Sequence, residues 1–515
     1  MTRPISEITA GLEPSRKGAP LRPGSRLHII GVGGTAALAA ALHAQALGVR
    51  VSGYDQALSE DSARLLSDAA IPVGSAESPE VLRFCERLSP ESTVAISKAI
   101  TSTQPQHPEV LLARKAGAQT ISVQQVIADA AATRGGLLIG VGGTHGKTTS
   151  TGWVLDALNH SGIKMSAFVG GPLAGDLGTP AGSPVHIGSD AGFIVEADEY
   201  GGNFDAYHVD RALILNVDWD HPDIFADRLA AVDTFARWSA YPAANGAAFI
   251  NTGDQGGAEL AARLVRDGCH NVYTFTLLVG TGPTQADVSA QLISRGGGGY
   301  SISVDRVSDR AALVAPALGD LLNRELPIGL LGAHNASNGL GVAFLAASVK
   351  GTADGIASSL ATFGGVGRRM EVRYDRNSIT VLDDYGHHPT AIDATIATVR
   401  QRYPGRTLLL AIEPLTYHRT SALLEGLAKS CSRADRVAVA EIFAVRDLDT
   451  TSVSAATLAE RIVALGTPAT APGTVLDTAA ALLPAIEPHT VVLVMGGGRS
   501  TELARALAQG LSVAP

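Results

Sequence analysis

Cysteine is scarce. Cys85, Cys269 and Cys431 are the only three in 515 residues, too far apart for a disulfide framework or a metal-ligand spacing, and they suit a reducing cytoplasm. Basic residues are also in deficit. Forty lysines and arginines face 49 acids, a net charge of −9, which argues against a nucleic-acid binder. No apolar run reaches transmembrane length. Residues 1–23 carry Arg3, Arg16, Lys17 and Arg22 but no apolar segment of the kind a secretion signal needs, so a polar tail is expected there. No lysine falls between Lys164 and Lys350, so ammonium groups are few in mid-chain. No Ser/His/Asp or Cys/His constellation of a nucleophilic enzyme appears. Against these absences, 45% hydrophobic content is ample for large cores, and the length suggests about three domains.

The most informative stretch is Gly140-Val141-Gly142-Gly143-Thr144-His145-Gly146-Lys147-Thr148-Thr149. An apolar strand, Gly136 to Ile139, precedes it, and a helix through Ser150 to Leu158 is expected after it. A glycine-rich turn between strand and helix aims unpaired backbone N–H groups, and the helix dipole, at one point that suits phosphate oxygens. Lys147 would face the outer phosphates and the Thr148 hydroxyl a Mg²⁺ ion. Glycine is shifted from the usual first position, where Val141 stands, so the loop is a variant.

Earlier, in a domain expected over about residues 24–130, the strand Leu27–Ile30 runs into Gly31-Val32-Gly33-Gly34-Thr35 and an Ala-rich helix, Ala36 to Leu47. A second strand ends at Asp55, 22 residues beyond Gly33, near the spacing of a dinucleotide fold's glycines and ribose-binding acid. That predicts a nucleotide diphosphate at the first helix, or a βαβ turn with no ligand. Ser97 and Lys98 follow a strand ending at Ile96 and are weak ligand-loop candidates beside a solvated turn.

The central domain is expected over residues 131–367. An apolar strand, Phe193 to Glu199, ends in three acids, Glu196, Asp198 and Glu199, and a second strand ends in Asp218-Trp219-Asp220-His221. Beside a phosphate loop, such acids commonly reach a metal. Glu196, His221 and Thr148 on one sheet edge form a candidate metal or phosphate set, against a surface acid cluster and a core histidine. Residues 280–310 read as a hairpin. Asn335 and Asn338 precede an apolar helix and either cap it or meet an adenine edge. Arg368-Arg369 are expected to end a helix and open a third unit, residues 368–515. There Asp383-Asp384-Tyr385-Gly386-His387-His388-Pro389-Thr390 follows a strand. Adjacent histidines on extended backbone point oppositely, so one facing a ligand and one buried is expected. Strands alternate with helices throughout. The fold class is therefore α/β in three domains: a Rossmann-like N-terminal domain, a P-loop ATPase-like parallel-sheet centre and a Rossmann-like C-terminal domain.

Over nearly the whole chain these motifs resemble the Mur ligase family. Gly143 to Thr149, Glu196 to Tyr200, Asn216 with Asp220-His221, His334 to Asn338 and Asp383 to Thr390 carry the resemblance. It implies a cytoplasmic ATP- and Mg²⁺-dependent ligase of peptidoglycan precursor synthesis, one domain holding a UDP-sugar, one ATP, and one closing over both. The wording is most like the branch that joins L-alanine to the carboxylate of UDP-N-acetylmuramate through an acyl phosphate. Carried over, Gly143 to Thr149 hold phosphates, with Lys147 on the outer ones. Thr148 meets one Mg²⁺, and Glu196 with His221 holds a second near the sugar carboxylate. Asn335 and Asn338 meet adenine, Asp384 the ribose, and Arg368 the ATP phosphates. His387, His388 and Arg419 face the reacting groups, and Gly33, Gly34 and Asp55 hold the UDP part.

Three departures stand out. Leu415 replaces a histidine in Glu413-Pro414-Leu415-Thr416-Tyr417-His418-Arg419-Thr420, Ala391 replaces a glutamate, and the first glycine turn continues as Thr35-Ala36-Ala37. The change at Leu415 lies where the amino acid is expected, so a murein tripeptide remains the alternative acceptor. A non-catalytic nucleotide-binding relative and a dinucleotide-dependent oxidoreductase are the more distant alternatives.

Overall fold

The computed structural model describes residues 2–74, 88–173, 177, 179–180, 182–280, 284–444, 447 and 449–513; Cys85 lies outside them. Three sheets follow one another along the chain. The first joins β1 (Arg26–Ile30), β2 (Arg50–Tyr54), β3 (Val73–Gly74), β4 (Thr93–Ile96) and β5 (Gln119–Ser122), all parallel, in the order β3-β2-β1-β4-β5. The order reverses between β1 and β4, which opens a crevice beyond their C-terminal ends.

The second sheet is built on β6 (Leu138–Gly142), β7 (Ser166–Phe168), β8 (Val185–His186), β9 (Phe193–Ala197), β10 (Arg211–Ile214), β11 (Ala247–Asn251), β12 (Val272–Leu278), β13 (Val288–Gly296), β14 (Gly299–Val307) and β15 (Glu325–Ile328). Its order is β15-β14-β13-β12-β11-β10-β6-β9-β7-β8, with β6 between β9 and β10. β8 and β14 run against a parallel body, β15 pairs antiparallel with β14, and β13–β14 is the expected hairpin. β6, β9 and β10 are almost wholly apolar, as strands covered on both faces must be.

The third sheet holds β16 (Glu371–Arg376), β17 (Ile379–Asp384), β18 (Thr407–Glu413), β19 (Arg436–Ala440), β20 (Ala469–Gly473) and β21 (Thr490–Gly496), ordered β16-β17-β21-β18-β19-β20. Only β16 runs antiparallel. The expected α/β architecture of parallel-sheet domains is what the chain adopts. No helix among the described residues is long and apolar enough to cross a membrane.

Two local expectations fail. The N-terminal stretch is a docked strap, not a solvated tail. Ile8 is fully buried, Thr101 Oγ1 donates to its carbonyl, and Arg16 makes paired bonds of 2.7 and 2.8 Å to Asp129. Leu12 and Leu21 also pack, partly buried, against the first unit's core clusters, which composition does not reveal. Arg368-Arg369 do not end a helix either. The preceding helix stops at Thr362, and Arg368 sits in a turn with φ 60°.

Candidate active site

The phosphate loop joins β6 to the helix Lys147–His160. Gly143 (φ 139°) and Gly146 (φ 83°) adopt backbone that L side chains rarely take, and a Cβ at Gly146 would lie 2.9 Å from Asn338 Nδ2. Asn216, just beyond β10, clamps the loop: its Oδ1 accepts from His145 N at 2.8 Å and its Nδ2 donates to His145 O at 3.0 Å. Gly146 caps the helix without a side-chain bond, leaving first-turn N–H groups for an anion. The ammonium of Lys147 donates to Glu199 at 2.9 Å and to Gly143 O at 2.7 Å. Burial opposes that charge, but Glu199 and Asp198 outweigh it and hold Lys147 above its ordinary value.

Glu196 reaches the loop because β9 pairs with β6 and sets it against Val141. Thr148 Oγ1 donates to Glu196 Oε1 at 3.1 Å, and Gly170 N donates to Glu196 Oε2 at 2.6 Å. A Cβ on Gly170 would lie 2.5 Å from that carboxylate and would push it from this position. One ligand atom each from Asp198, Glu199 and His221 lies within 4.8 Å of the others. Burial pushes Glu196 and Glu199 up, Lys147 offsetting it in part; around Asp198, Lys147 and His221 outweigh burial and bring it down. A partly buried, oxygen-rich set of this kind, with Glu199 buried, fits a hard divalent cation such as Mg²⁺.

The third sheet closes over this edge. Arg419 is 5% exposed. Its Nη2 donates to His221 Nδ1 at 2.8 Å, its Nη1 donates to His387 Nε2 at 2.7 Å, and its Nε pairs ionically with Asp220 at 2.8 Å. Burial opposes ionisation of Asp220, yet Arg419 holds its carboxyl well below the usual range. His221 takes a left-handed conformation, φ 55°, a strain of the kind that gathers at functional sites. His388 is buried, its Nε2 bonded to Trp219 O at 3.1 Å, and it caps the helix Pro389–Arg402. Thr390 Oγ1 donates to Asp218 at 2.8 Å. Bonds from His145 and Thr390 outweigh burial and keep Asp218 well below the usual carboxylate range.

Thr144 to Thr149, Glu196, His221, Asn335, Asn338, Asp384, His387, His388, Arg419 and Gly34 all line one cleft of about 1150 Å³. Gly33, Asp55, Gly143 and Arg368 are not among its wall residues. Asp55 is spent on the glycine turn itself, accepting from Gly33 N at 2.8 Å. Arg368 turns away to Gly496 O and Ser500 Oγ, each at 3.0 Å, and Arg369 instead enters the cleft and donates to Thr148 Oγ1 at 3.3 Å. Asn335 and Asn338 lie inside the helix Ala333–Ser348, and Gly332, not an asparagine, is its cap. Asp384 accepts from Met370 N and Gly386 N, which shapes the turn into the histidines.

A phosphate loop, a metal-suited acid set and a closing arginine on three consecutive α/β units match known domain families in the same order. Residues 26–134 match "Mur ligase family, catalytic domain", 141–346 "Mur ligase middle domain" and 368–498 "Mur ligase, glutamate ligase domain". The chain belongs to the Mur ligase family. Among its relatives, the UDP-N-acetylmuramate–L-alanine ligase of Mycolicibacterium vanbaalenii is 31% identical over 94% of this chain and 95% of its own. That of Mycolicibacterium gilvum is 32% identical over 94% and 96%. The crystal structure of the Thermotoga maritima UDP-N-acetylmuramate–alanine ligase matches with a TM-score of 0.73 at 20% identity, covering 95% of this chain and 99% of that one. A murein peptide ligase from Psychrobacter arcticus matches at 0.69 with 23% identity, covering 96% and 100%. At those identities the two structures speak for the fold.

Sequence reasoning passed over three groups in this Mur ligase. Arg369 was overshadowed by Arg368. Gln124 and Tyr207 line the cleft with a buried amide oxygen and a buried hydroxyl that have no hydrogen-bond partner. No motif marks them: Gln124 lies just past the end of β5, and Tyr207 follows a short turn of helix, Tyr200–Ala206.

Proposed function

We propose that this protein is an ATP-dependent ligase joining L-alanine to the carboxylate of UDP-N-acetylmuramate, with release of ADP and phosphate, in peptidoglycan precursor synthesis in the cytoplasm. The observation that carries the reading is the 31–32% identity to L-alanine ligases along 94% of the chain. The site supports it. Gly143 to Thr149 cradle the ATP phosphates, with Lys147 and Arg369 as the flanking cations. Asn335 and Asn338 stand beside the loop for adenine, and Asp384 near the third-sheet turn for ribose. Thr148, Glu196 and His221 would hold Mg²⁺, which neutralises phosphate charge and orients the muramoyl carboxylate when bound.

The carboxylate oxygen attacks the γ-phosphorus, ADP leaves, and an acyl phosphate forms on the substrate. The alanine amine then attacks the acyl carbon, and phosphate leaves as the C–N bond forms. No protein nucleophile is needed, so the chain's contribution is alignment and charge. Arg419 offers a guanidinium to the amino-acid carboxylate, with His387 as its neutral partner. His388 holds the closing turn against the central unit. Gly34 lies at the helix end facing the UDP-sugar, while Gly33 and Asp55 brace that turn and Arg368 braces the turn that carries Arg369. Leu415 and Phe443, paired across the cleft wall beside Arg419, give the acceptor's side chain an apolar wall suited to a methyl group.

The test is phosphate release from Mg²⁺–ATP with UDP-N-acetylmuramate, comparing L-alanine, L-serine, glycine and the murein tripeptide, with product mass read out. L-Alanine is expected to drive release and give a product heavier by one alanyl residue. Release driven only by the tripeptide would overturn the assignment of acceptor, and no release with any acceptor would overturn the ligase reading.

A further inference from the structure

A second group of ligand-type side chains lies in the cleft, apart from Asp198, Glu199 and His221. One ligand atom each from His145, Asp218 and His388 lies within 4.8 Å of the others, and the two sets share no residue. His145 Nε2 is 3.3 Å and His388 Nδ1 3.8 Å from Asp218 Oδ2. Donors on a tetrahedral ion with bonds of about 2.1 Å stand about 3.4 Å apart, so small side-chain rotations bring all three onto one ion. The two imidazole rings are tilted by 38°, with centroids 4.7 Å apart.

Each of the three is held from behind. His145 sits in the phosphate loop, its backbone N and O both bonded to the Asn216 amide. Asp218 N donates to Thr144 Oγ1 at 2.9 Å, and Trp219 N donates to Asp218 Oδ1 at 2.8 Å, while Oδ2 is the oxygen beside the histidines. His388 Nε2 meets Trp219 O at 3.1 Å; a carbonyl only accepts, so Nε2 carries the proton and Nδ1 the lone pair. That lone pair receives a long bond, 3.3 Å, from Thr390 N, which a metal displaces at small cost. An imidazole whose far nitrogen donates to a backbone carbonyl is the arrangement that metal-binding histidines adopt. Thr390 Oγ1 donates to Asp218 Oδ2 at 2.8 Å, as the outer partners of a ligating carboxylate do.

We propose that His145, Asp218 and His388 form a binding site for a borderline divalent transition metal of the Zn²⁺ type, which staples the third unit to the phosphate loop. Two imidazoles and one carboxylate suit Zn²⁺ or Co²⁺, whereas Mg²⁺ takes oxygen ligands. Three protein ligands leave a fourth position for water. His145 and Asp218 belong to the central unit and His388 to the third, so the ion bridges the two. A cleft that closes over its reactants has to open to release products, so the staple slows turnover and supplies no step of the reaction. The inference goes beyond the ligase reading, and its binding test needs no substrate.

Zn²⁺ is titrated by calorimetry into the full chain in excess Mg²⁺, which competes for the oxygen-rich set, using wild type, His145→Gln, His388→Gln and His221→Gln. Thermal midpoints are taken with and without Zn²⁺. Wild type is expected to bind one Zn²⁺ per chain with micromolar affinity or tighter, and its midpoint to rise. His145→Gln and His388→Gln are expected to weaken binding at least about tenfold and to lose that rise, and His221→Gln to keep both. X-ray absorption of Zn²⁺-loaded wild type counts the imidazoles without any variant: two are expected. Zn²⁺ is expected to inhibit phosphate release, and a chelator to restore it. No Zn²⁺ uptake by wild type, a single imidazole on the ion, wild-type affinity in both His145→Gln and His388→Gln, or unchanged release with Zn²⁺ bound would each overturn the staple and leave the ligase reading standing. A wild type that binds Zn²⁺ in this way but turns over no substrate would overturn the ligase reading alone.

Discussion

Arg419 Nη2 donates to His221 Nδ1 across 198 positions of sequence, at 2.8 Å. A guanidinium cannot accept a proton, so His221 Nδ1 is the acceptor and its proton sits on Nε2. The same logic makes His387 neutral, with Nδ1–H donating to Tyr385 O and Nε2 accepting from Arg419. The arginine is therefore clamped by two neutral imidazoles and one buried carboxylate, Asp220. Turning His221 Nε2 to a metal moves its proton to Nδ1 and frees that arm of Arg419. With His221 on the metal and Arg419 on the acceptor, as proposed above, the two binding events would share one side chain.

Removing the arginine tests the clamp. Arg419→Ala leaves the Asp220 carboxylate buried and unpaired, which costs about 3–5 kcal/mol of stability. Adding Asp220→Asn should recover a large part of it, since the stranded charge is gone. Urea unfolding of wild type, both single variants and the double variant measures the coupling. Additive losses would refute the clamp. L-Alanine-driven phosphate release is expected to vanish in every variant lacking Arg419.

Lys147 also has a structural part, as the partner of a buried carboxylate. A lysine on a solvated loop would be replaceable without loss of stability, but this one neutralises Glu199, which is 2% exposed. Lys147→Met should abolish ATP turnover and also destabilise the ligand-free protein at pH 7.5. Glu199 is already raised by burial. Without Lys147 it rises further, so the deficit is largest at high pH and shrinks as pH falls and the carboxyl takes up its proton. Lys147→Met/Glu199→Gln should regain stability at pH 7.5 but not turnover. Equal unfolding midpoints for wild type and Lys147→Met across pH 5.5–8 would refute the pairing.

His387 carries a pH signature of its own. Burial first, then the charge of Arg419, pushes it down to about 3. Unfolded, it titrates at about 6.5. Between those values the unfolded chain binds a proton that the folded one refuses, so stability falls as pH drops below 6.5, by up to about 1.4 kcal/mol per unit. His387→Gln removes that share. The fall in unfolding free energy from pH 7 to pH 5 should be about 2 kcal/mol smaller in the variant than in wild type. An unchanged difference would mean that His387 protonates freely in the folded state.

How much of this was readable beforehand follows from the range of the forces involved. Strand, glycine turn and helix around Lys147 are local, and their sequence pattern is the mechanism itself. Glu196 and His221 reach the same cleft as Lys147 because parallel strands put their C-terminal ends on one edge. Arg369 over Arg368 was not readable, because which of two adjacent arginines faces a cleft depends on the φ of 60° at Arg368 and on Ser500, 132 residues away. Asp55 was misjudged because spacing brings it to the glycine turn without saying which group it will bond. The asparagines of Ala333–Ser348 were offered as caps or as adenine contacts; the cap is Gly332 instead, and Asn335 Nδ2 donates to Leu331 O.

The N-terminal strap gives the last prediction. Arg3 N donates to Asp223 O, and Asp223 accepts from Tyr200 at 3.0 Å, whose ring lies 4.9 Å from that of His221. Ile8 fills the space over Gly201, where a Cβ would come within 3.0 Å of it, and Gly201 O receives Lys98. The strap therefore fastens the first unit to the loop that carries His221. Ile8→Ala empties a buried site and should cost about 2–4 kcal/mol. Deleting residues 2–9 removes the Arg3 bond as well. If the strap holds the loop in place, both changes lower the urea midpoint and raise the Mg²⁺ concentration needed for half-maximal phosphate release, the deletion more than the point variant. A deletion protein with wild-type midpoint and wild-type Mg²⁺ dependence would return these residues to the status of a tail.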